Sequence, residues 1–166
     1  MCDIDEIDPA FGHWLAGFID GEGCFVVSPN NQGYYYARFH IKVRDDDADI
    51  ILEAHERLGL GQIYYRQHEG TTSNPAIVWA IQRQSECREF AAFLDRFPLR
   101  AKKKKDFAIW KEALDELQQN SRDRPKLRYL NEKLKFIRRY RPNEDEEPVY
   151  AGPAYEQLSF VEAMDA

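Results

Sequence analysis

The 166-residue chain has no uninterrupted apolar run close to eighteen residues, so no part of it is expected to cross a bilayer as a helix. Cysteine is scarce: Cys2, Cys24 and Cys87 are odd in number and far apart. That pattern excludes a disulfide framework or a cysteine-rich zinc site and points to a reducing compartment. The first ten residues hold no basic side chain where a secretory or transit sequence would be basic, so neither is expected. Residues 143–166 also lack a base, and the two ends together hold eleven of the 29 acids. A net charge of −6 argues against a nucleic-acid partner only if it is read as an average. All 23 basic residues lie in 11–142, where they outnumber the acids. The body of the protein is basic and its ends are acidic.

What is present is first of all the run Phe11-Gly12-His13-Trp14-Leu15-Ala16-Gly17-Phe18-Ile19-Asp20-Gly21-Glu22-Gly23-Cys24-Phe25. Gly12 and Ala16 are four apart, as are Gly17 and Gly21, and residues at that spacing share a helix face. A face of small residues lets two backbones approach closely. Glycine inside a helix costs up to about 1 kcal/mol relative to alanine, so Gly17 implies a packing or functional return. Glu22 falls at the helix end, where the dipole disfavours an anion, and a cation is expected beside it. His13 and Trp14 read as packing residues.

The rest alternates helical and extended patterns over a length typical of one domain. A helix is expected over 9–20, ended by Gly21 to Gly23, then a strand over 24–27 and turn chemistry over 28–33. Residues 34–43 alternate strictly, with Tyr34, Tyr36, Arg38, His40 and Lys42 on one face and Tyr35, Ala37, Phe39, Ile41 and Val43 on the other. Asp45 to Asp47 should cap a helix over 45–58. Strands are expected over 62–66 and 76–82, joined by the polar loop 67–75, so that the four strands form two antiparallel hairpins. Helices follow over 85–96, with Ser85 as N-cap, over 106–117 and over 126–140. Residues 143–166 read as an acidic tail with a short helix possible at 155–164.

The nonapeptide from Leu15 to Gly23 resembles the signature motif of the LAGLIDADG homing endonucleases, with Phe18 and Glu22 as conservative changes. It occurs once, and element order to about residue 140 resembles the single-motif branch. The resemblance implies an α+β fold of order αββαββα, with a curved four-stranded antiparallel sheet and additional C-terminal helices. Residues 1–142 would be the endonuclease domain. It also implies a homodimer in contact through Gly12, Leu15, Ala16, Phe18 and Ile19, with Gly17, Asp20, Gly21 and Gly23 as structural motif positions.

By the same resemblance, Glu22 is the metal-binding and catalytic acid, Asp20 serves the helix end, and Mg²⁺ is the cofactor, with Mn²⁺ able to replace it. Mg²⁺ shared by carboxylates and phosphate oxygens can activate water and stabilise a leaving oxygen. Lys103 or Lys102 would approach the cleavage site, and Asp45 would orient water or metal. Each has a plainer alternative: a surface acid for Glu22, a solvated basic turn for the lysines, a helix cap for Asp45. Asp49 stands where some relatives carry a base.

Double-stranded DNA would lie on Ser28, Asn30, Asn31, Gln32, Tyr34, Tyr36, Arg38, His40, Lys42, Gln62, Tyr64, Arg66 and His68. A two-stranded ribbon fits the major groove, where Arg, Lys and Gln read base edges. The alternative is a wet sheet face whose charges discourage edge pairing. Basic residues about the last helix, Lys126, Arg128, Lys133, Lys135, Arg138, Arg139 and Arg141, would position phosphates. The implied function is a metal-dependent double-strand break in a long pseudo-palindromic site, leaving short 3′ extensions. Rival readings are a maturase that binds intron RNA, a DNA-binding regulator that does not cut, and a protein-interaction domain. The expected setting is a bacterial cytoplasm or an organelle with an intron-containing genome, with no membrane partner.

Overall fold

The computed structural model describes residues 4–66, 74–119 and 124–138. His68, Arg139, Arg141 and the expected tail lie outside these residues. The elements in order are α1 (Pro9–Glu22), β1 (Cys24–Pro29), β2 (Tyr35–Arg44), α2 (Ala48–Leu58), β3 (Gln62–Arg66), β4 (Ala76–Ile81), α3 (Gln84–Arg96), α4 (Lys103–Gln118) and α5 (Arg124–Arg138). Short 3₁₀ turns precede α1 and α2. The expected αββαββα order is present, followed by two further helices.

Asp8 starts α1 by accepting a hydrogen bond from the Phe11 N–H at 2.9 Å, with Pro9 at the first turn. The helix continues through Glu22 and stops at Gly23, whose N–H donates to the Ile19 carbonyl. A Cβ at Gly23 would lie 2.7 Å from that carbonyl oxygen, so only glycine fits this close turn into β1. α2 ends on Gly59, which adopts the left-handed region at φ 63°.

Two expected caps are replaced. Asp46 pairs with Arg44, and Asp47 is the N-cap residue of α2 but makes no side-chain cap hydrogen bond. Ser85 lies inside α3, whose N-cap is Arg83. In both places an alternative hydrogen-bond or helical geometry outcompeted the local cap.

The sheet is antiparallel throughout, in the order β1-β2-β4-β3. The expected curvature is corrected: the sheet does not curl. Bulges and glycine kinks inside a strand are the devices that bend a sheet sharply. All three pairings run residue against residue with none skipped, and none of the four strands contains glycine.

One face of the sheet carries the core. Phe25, Phe39 and Trp79 are fully buried there and meet Phe90 of α3 and Trp110 of α4 through tilted and edge-on ring contacts. Trp79 donates to the Leu60 carbonyl at 2.7 Å and Trp110 to the Arg38 carbonyl at 3.1 Å, so both indoles are satisfied. Cys87 is buried in the same core, and burial pushes its thiol up to about 12, leaving it unreactive.

Candidate nuclease site and DNA-facing surface

The end of α1 meets the start of α4. Asp20 Oδ2 accepts from the backbone N–H groups of Arg100, at 2.7 Å, and Ala101, at 3.0 Å. It therefore holds the loop that launches α4, a contact beyond its expected service to the helix end. Its other oxygen, Oδ1, is buried without a partner among the described residues.

Lys103 reaches back to the same turn. Its Nζ donates to the Gly21 carbonyl at 3.1 Å and to the Gly23 carbonyl at 2.5 Å. Those carbonyls flank Glu22, so the cation expected at this helix end is Lys103. An ammonium at the negative end of α1 is favoured by the dipole and offsets the cost of placing Glu22 there.

α4 begins at Lys103 and not at Asp106, so the lysine run forms its first turn. Cations at a helix N-terminus are on the unfavourable end. Asp20 and the buried Asp106 supply the compensating charge nearby.

A cavity of about 350 Å³ opens at this junction. Lys102, Lys103 and Arg138 line it with Asp20 and Asp106, beside Gly23 and Cys24. The structure thus brings Asp20, Lys102 and Lys103 together next to Glu22, which is exposed. Asp45 is not among the lining residues; its N–H donates to the Pro75 carbonyl at the far end of β2. Arg138 and Asp106 were not singled out from the sequence for this site. A heptad-like basic helix gives no signal of which arginine will turn inward.

The face expected to meet DNA is the solvent side of the sheet. Tyr36, Arg38, His40 and Lys42 project there from β2, and Gln62, Tyr64 and Arg66 from β3. Ser28 lies at the end of β1, and Asn30 at the hairpin tip accepts from the Gln32 and Tyr34 N–H groups at 2.9 Å. Asn30, Asn31, Gln32 and Tyr34 are exposed.

β4 separates the two arms of this face. Its outward residues Ala76, Val78 and Ala80 are small and covered, so both of its faces are buried. Val78 and Ala80 floor a trough of about 250 Å³ walled by Arg38, His40, Tyr64, Arg66 and Gln82. Sequence reading passed over this floor, although Ala76, Val78, Ala80 and Gln82 alternate with larger apolar residues and that alternation was the available signal. Arg38 Nε and His40 Nδ1 are buried there without partners among the described residues. Burial, followed by the charges of Arg38, Arg138 and Arg66, holds the His40 pKa below its ordinary value.

Four of the five residues expected at a contact with a second chain, Gly12, Leu15, Ala16 and Ile19, are buried inside this one. A Cβ at Gly12 would stand 2.5 Å from the Phe97 ring. Phe18 is partly exposed and stacks on Trp14, a residue 43% exposed, at 6.0 Å and an interplanar angle of 5°. Beside them Gly17 and Gly21 are open, with nothing within 4 Å of an added Cβ. The free small-residue face of α1 is therefore Gly17–Gly21, not Gly12–Ala16, because the core takes the other stripe.

A profile of the LAGLIDADG endonuclease family matches residues 15–114, from the α1 motif to α4. The chain belongs to the LAGLIDADG endonuclease family. It is 26% identical over 141 residues to "Probable intron-encoded endonuclease Cox1-I1b" of Schizosaccharomyces pombe, a match covering 80% of this chain and 35% of that protein. The LAGLIDADG chain thus spans about a third of this curated relative. Its fold is that of the meganuclease I-AabMI, crystallised bound to uncleaved DNA, at a TM-score of 0.67 and 23% identity. That superposition covers 90% of this chain and 48% of the other. The archaeal intron-encoded homing endonuclease I-Vdi141I, complexed with DNA, matches at a TM-score of 0.65 and 19% identity, over 95% and 99% of the two chains.

Proposed function

We propose that this chain is a homing endonuclease that, as a homodimer with Mg²⁺, cuts both strands of a long pseudo-palindromic DNA site. The observation that carries this reading is Lys103 Nζ bonded to the Gly21 and Gly23 carbonyls, the residues on either side of the exposed motif acid Glu22. The lysine is thereby anchored to the turn that carries the acid, and it lines a cavity shared with Lys102 and Arg138.

The donor chemistry suits a hard divalent cation, which takes oxygen ligands. Glu22 and the unpartnered Asp20 Oδ1 are of that kind. Among the described residues, however, no group of three or more acids, histidines or cysteines is placed to hold a metal. One chain is thus right in kind and short in number, and a second copy brought up by a twofold axis would double the set. Bound there, Mg²⁺ supplies an activated water and charge for the leaving oxygen.

The remaining steps belong to the chain. The solvent face of β1, β2, β3 and the hairpin tip seats the duplex, with Arg38, Lys42, Gln62 and Arg66 offered to base edges. Lys103 and Lys102 bring positive charge to the scissile phosphate, and Asp20 keeps their helix in place. Gly17 and Gly21, flanked by the Trp14–Phe18 stack, form the face through which two copies meet, setting two such sites symmetrically. Asp45, outside the cavity at the end of β2, would act only as a water-orienting group.

Selection of cleaved sites from a randomised duplex library in Mg²⁺ tests the reading. Recovery of a palindrome-like site, lost in Glu22→Gln, is expected. Tight duplex binding without cutting in Mg²⁺ or Mn²⁺, or preferential binding of folded intron RNA, would overturn it.

A further inference from the structure

α5 packs along β1, the edge strand of the sheet, and is tied at both ends. At its start the Arg124 guanidinium stands 5.1 Å from the Tyr34 ring centroid beside the hairpin tip. At its end Arg138 enters the cavity next to Lys103. Its Nε donates to Asp106 Oδ2 at 2.8 Å, and its Nη2 donates to the Phe25 carbonyl.

Asp106 is 7% exposed and sits three residues after Lys103 on α4. Phe25 follows Gly23, the residue whose carbonyl accepts from Lys103, by two positions. Arg138 and Lys103 therefore bridge the same two pieces of chain, the first turn of α4 and the start of β1. A carboxylate buried as deeply as Asp106 needs a charged partner, so the bridge is held firmly. A planar guanidinium with two directed bonds fixes orientation as well as distance, which an ammonium cannot do.

We propose that Arg138 is a positioning residue for the cleavage reaction: by joining Asp106 to the Phe25 carbonyl it fixes where Lys103 Nζ stands on the Gly21 and Gly23 carbonyls. The proposal rests on the endonuclease reading. α5 thereby belongs to the working site although it lies beyond the residues matched to the family profile.

The test compares wild type with Arg138→Ala and Arg138→Lys. Each is assayed for folding by thermal melting, for duplex Kd, and for single-turnover cleavage. The acetylation rate of Lys103 is measured by mass spectrometry against exposed Lys104 of the same molecule, without DNA. Both variants should acetylate Lys103 about fivefold faster relative to Lys104 and cleave about tenfold more slowly, with Kd changed less than about threefold. If either fails to fold, the paired variant Asp106→Asn/Arg138→Gln, which leaves no buried charge alone, is read by the same criteria. Wild-type acetylation in Arg138→Lys or in the paired variant would overturn the proposal. So would a raised Kd at an unchanged cleavage rate, which would make Arg138 a plain DNA contact. If wild type itself cuts no duplex, the endonuclease reading falls, while the acetylation ratio still decides whether Arg138 places Lys103.

Discussion

Asp20 Oδ2 lies 2.7 Å from the backbone nitrogen of Arg100, a bond between residues eighty positions apart. With the second bond to Ala101 it ties the end of the motif helix to the loop preceding the lysine turn. The end of the motif helix and the lysine turn are thus placed relative to one another by one carboxylate.

Removing that carboxylate should uncouple placement from stability. Asp20→Ala is expected to cost about 1 kcal/mol in urea unfolding, because the N–H groups it leaves can reach water. Cleavage should fall much further, by about a hundredfold, if the lysine turn shifts by as little as an ångström. A cleavage loss no larger than the stability change implies would refute the placing role.

Glu22→Gln preserves shape and removes charge at an exposed position. Cleavage in Mg²⁺ is expected to drop by about a thousandfold or more, the scale of losing a group that stabilises charge in the transition state. Gel-shift affinity for the duplex should stay close to wild type. Normal cutting by the variant would remove Glu22 from the chemistry.

The two glycine positions on α1 should behave oppositely. Gly17→Ala meets nothing within one chain and should stabilise the isolated protomer by up to about 1 kcal/mol through helix propensity. In sedimentation experiments it should nevertheless weaken self-association. Gly12→Ala drives a methyl into the Phe97 ring and should cost about 1–3 kcal/mol of folding stability. Equal association by wild type and Gly17→Ala would argue against this face as the contact.

His40 gives a signed pH dependence. Its folded pKa is depressed by burial and then by Arg38, Arg138 and Arg66, so below the ordinary histidine range the unfolded chain binds the proton more readily. The stability it contributes is complete above that range and is lost as pH falls through it. His40→Asn should flatten the decline in stability between about pH 7 and pH 5 relative to wild type. Identical slopes in denaturant melts at these pH values would contradict the assignment.

The sequence by itself determined the element order, because apolar periodicities of two and 3.6 are properties of neighbouring residues. It also placed Phe39 and Ile41 inward and Arg38 and His40 outward, since one pleated strand alternates faces whatever packs upon it. It marked Glu22 through a nine-residue motif. Tertiary structure decided what depends on distant partners: that the sheet stays uncurled, that Gly12 faces Phe97 while Gly17 stays open, and that α4 starts at Lys103. It alone selected Arg138 from a helix rich in bases, by bringing Asp106 and the Phe25 carbonyl within reach. Local patterns specify which face of an element is apolar, whereas the partner that buries it is chosen only when the whole chain packs.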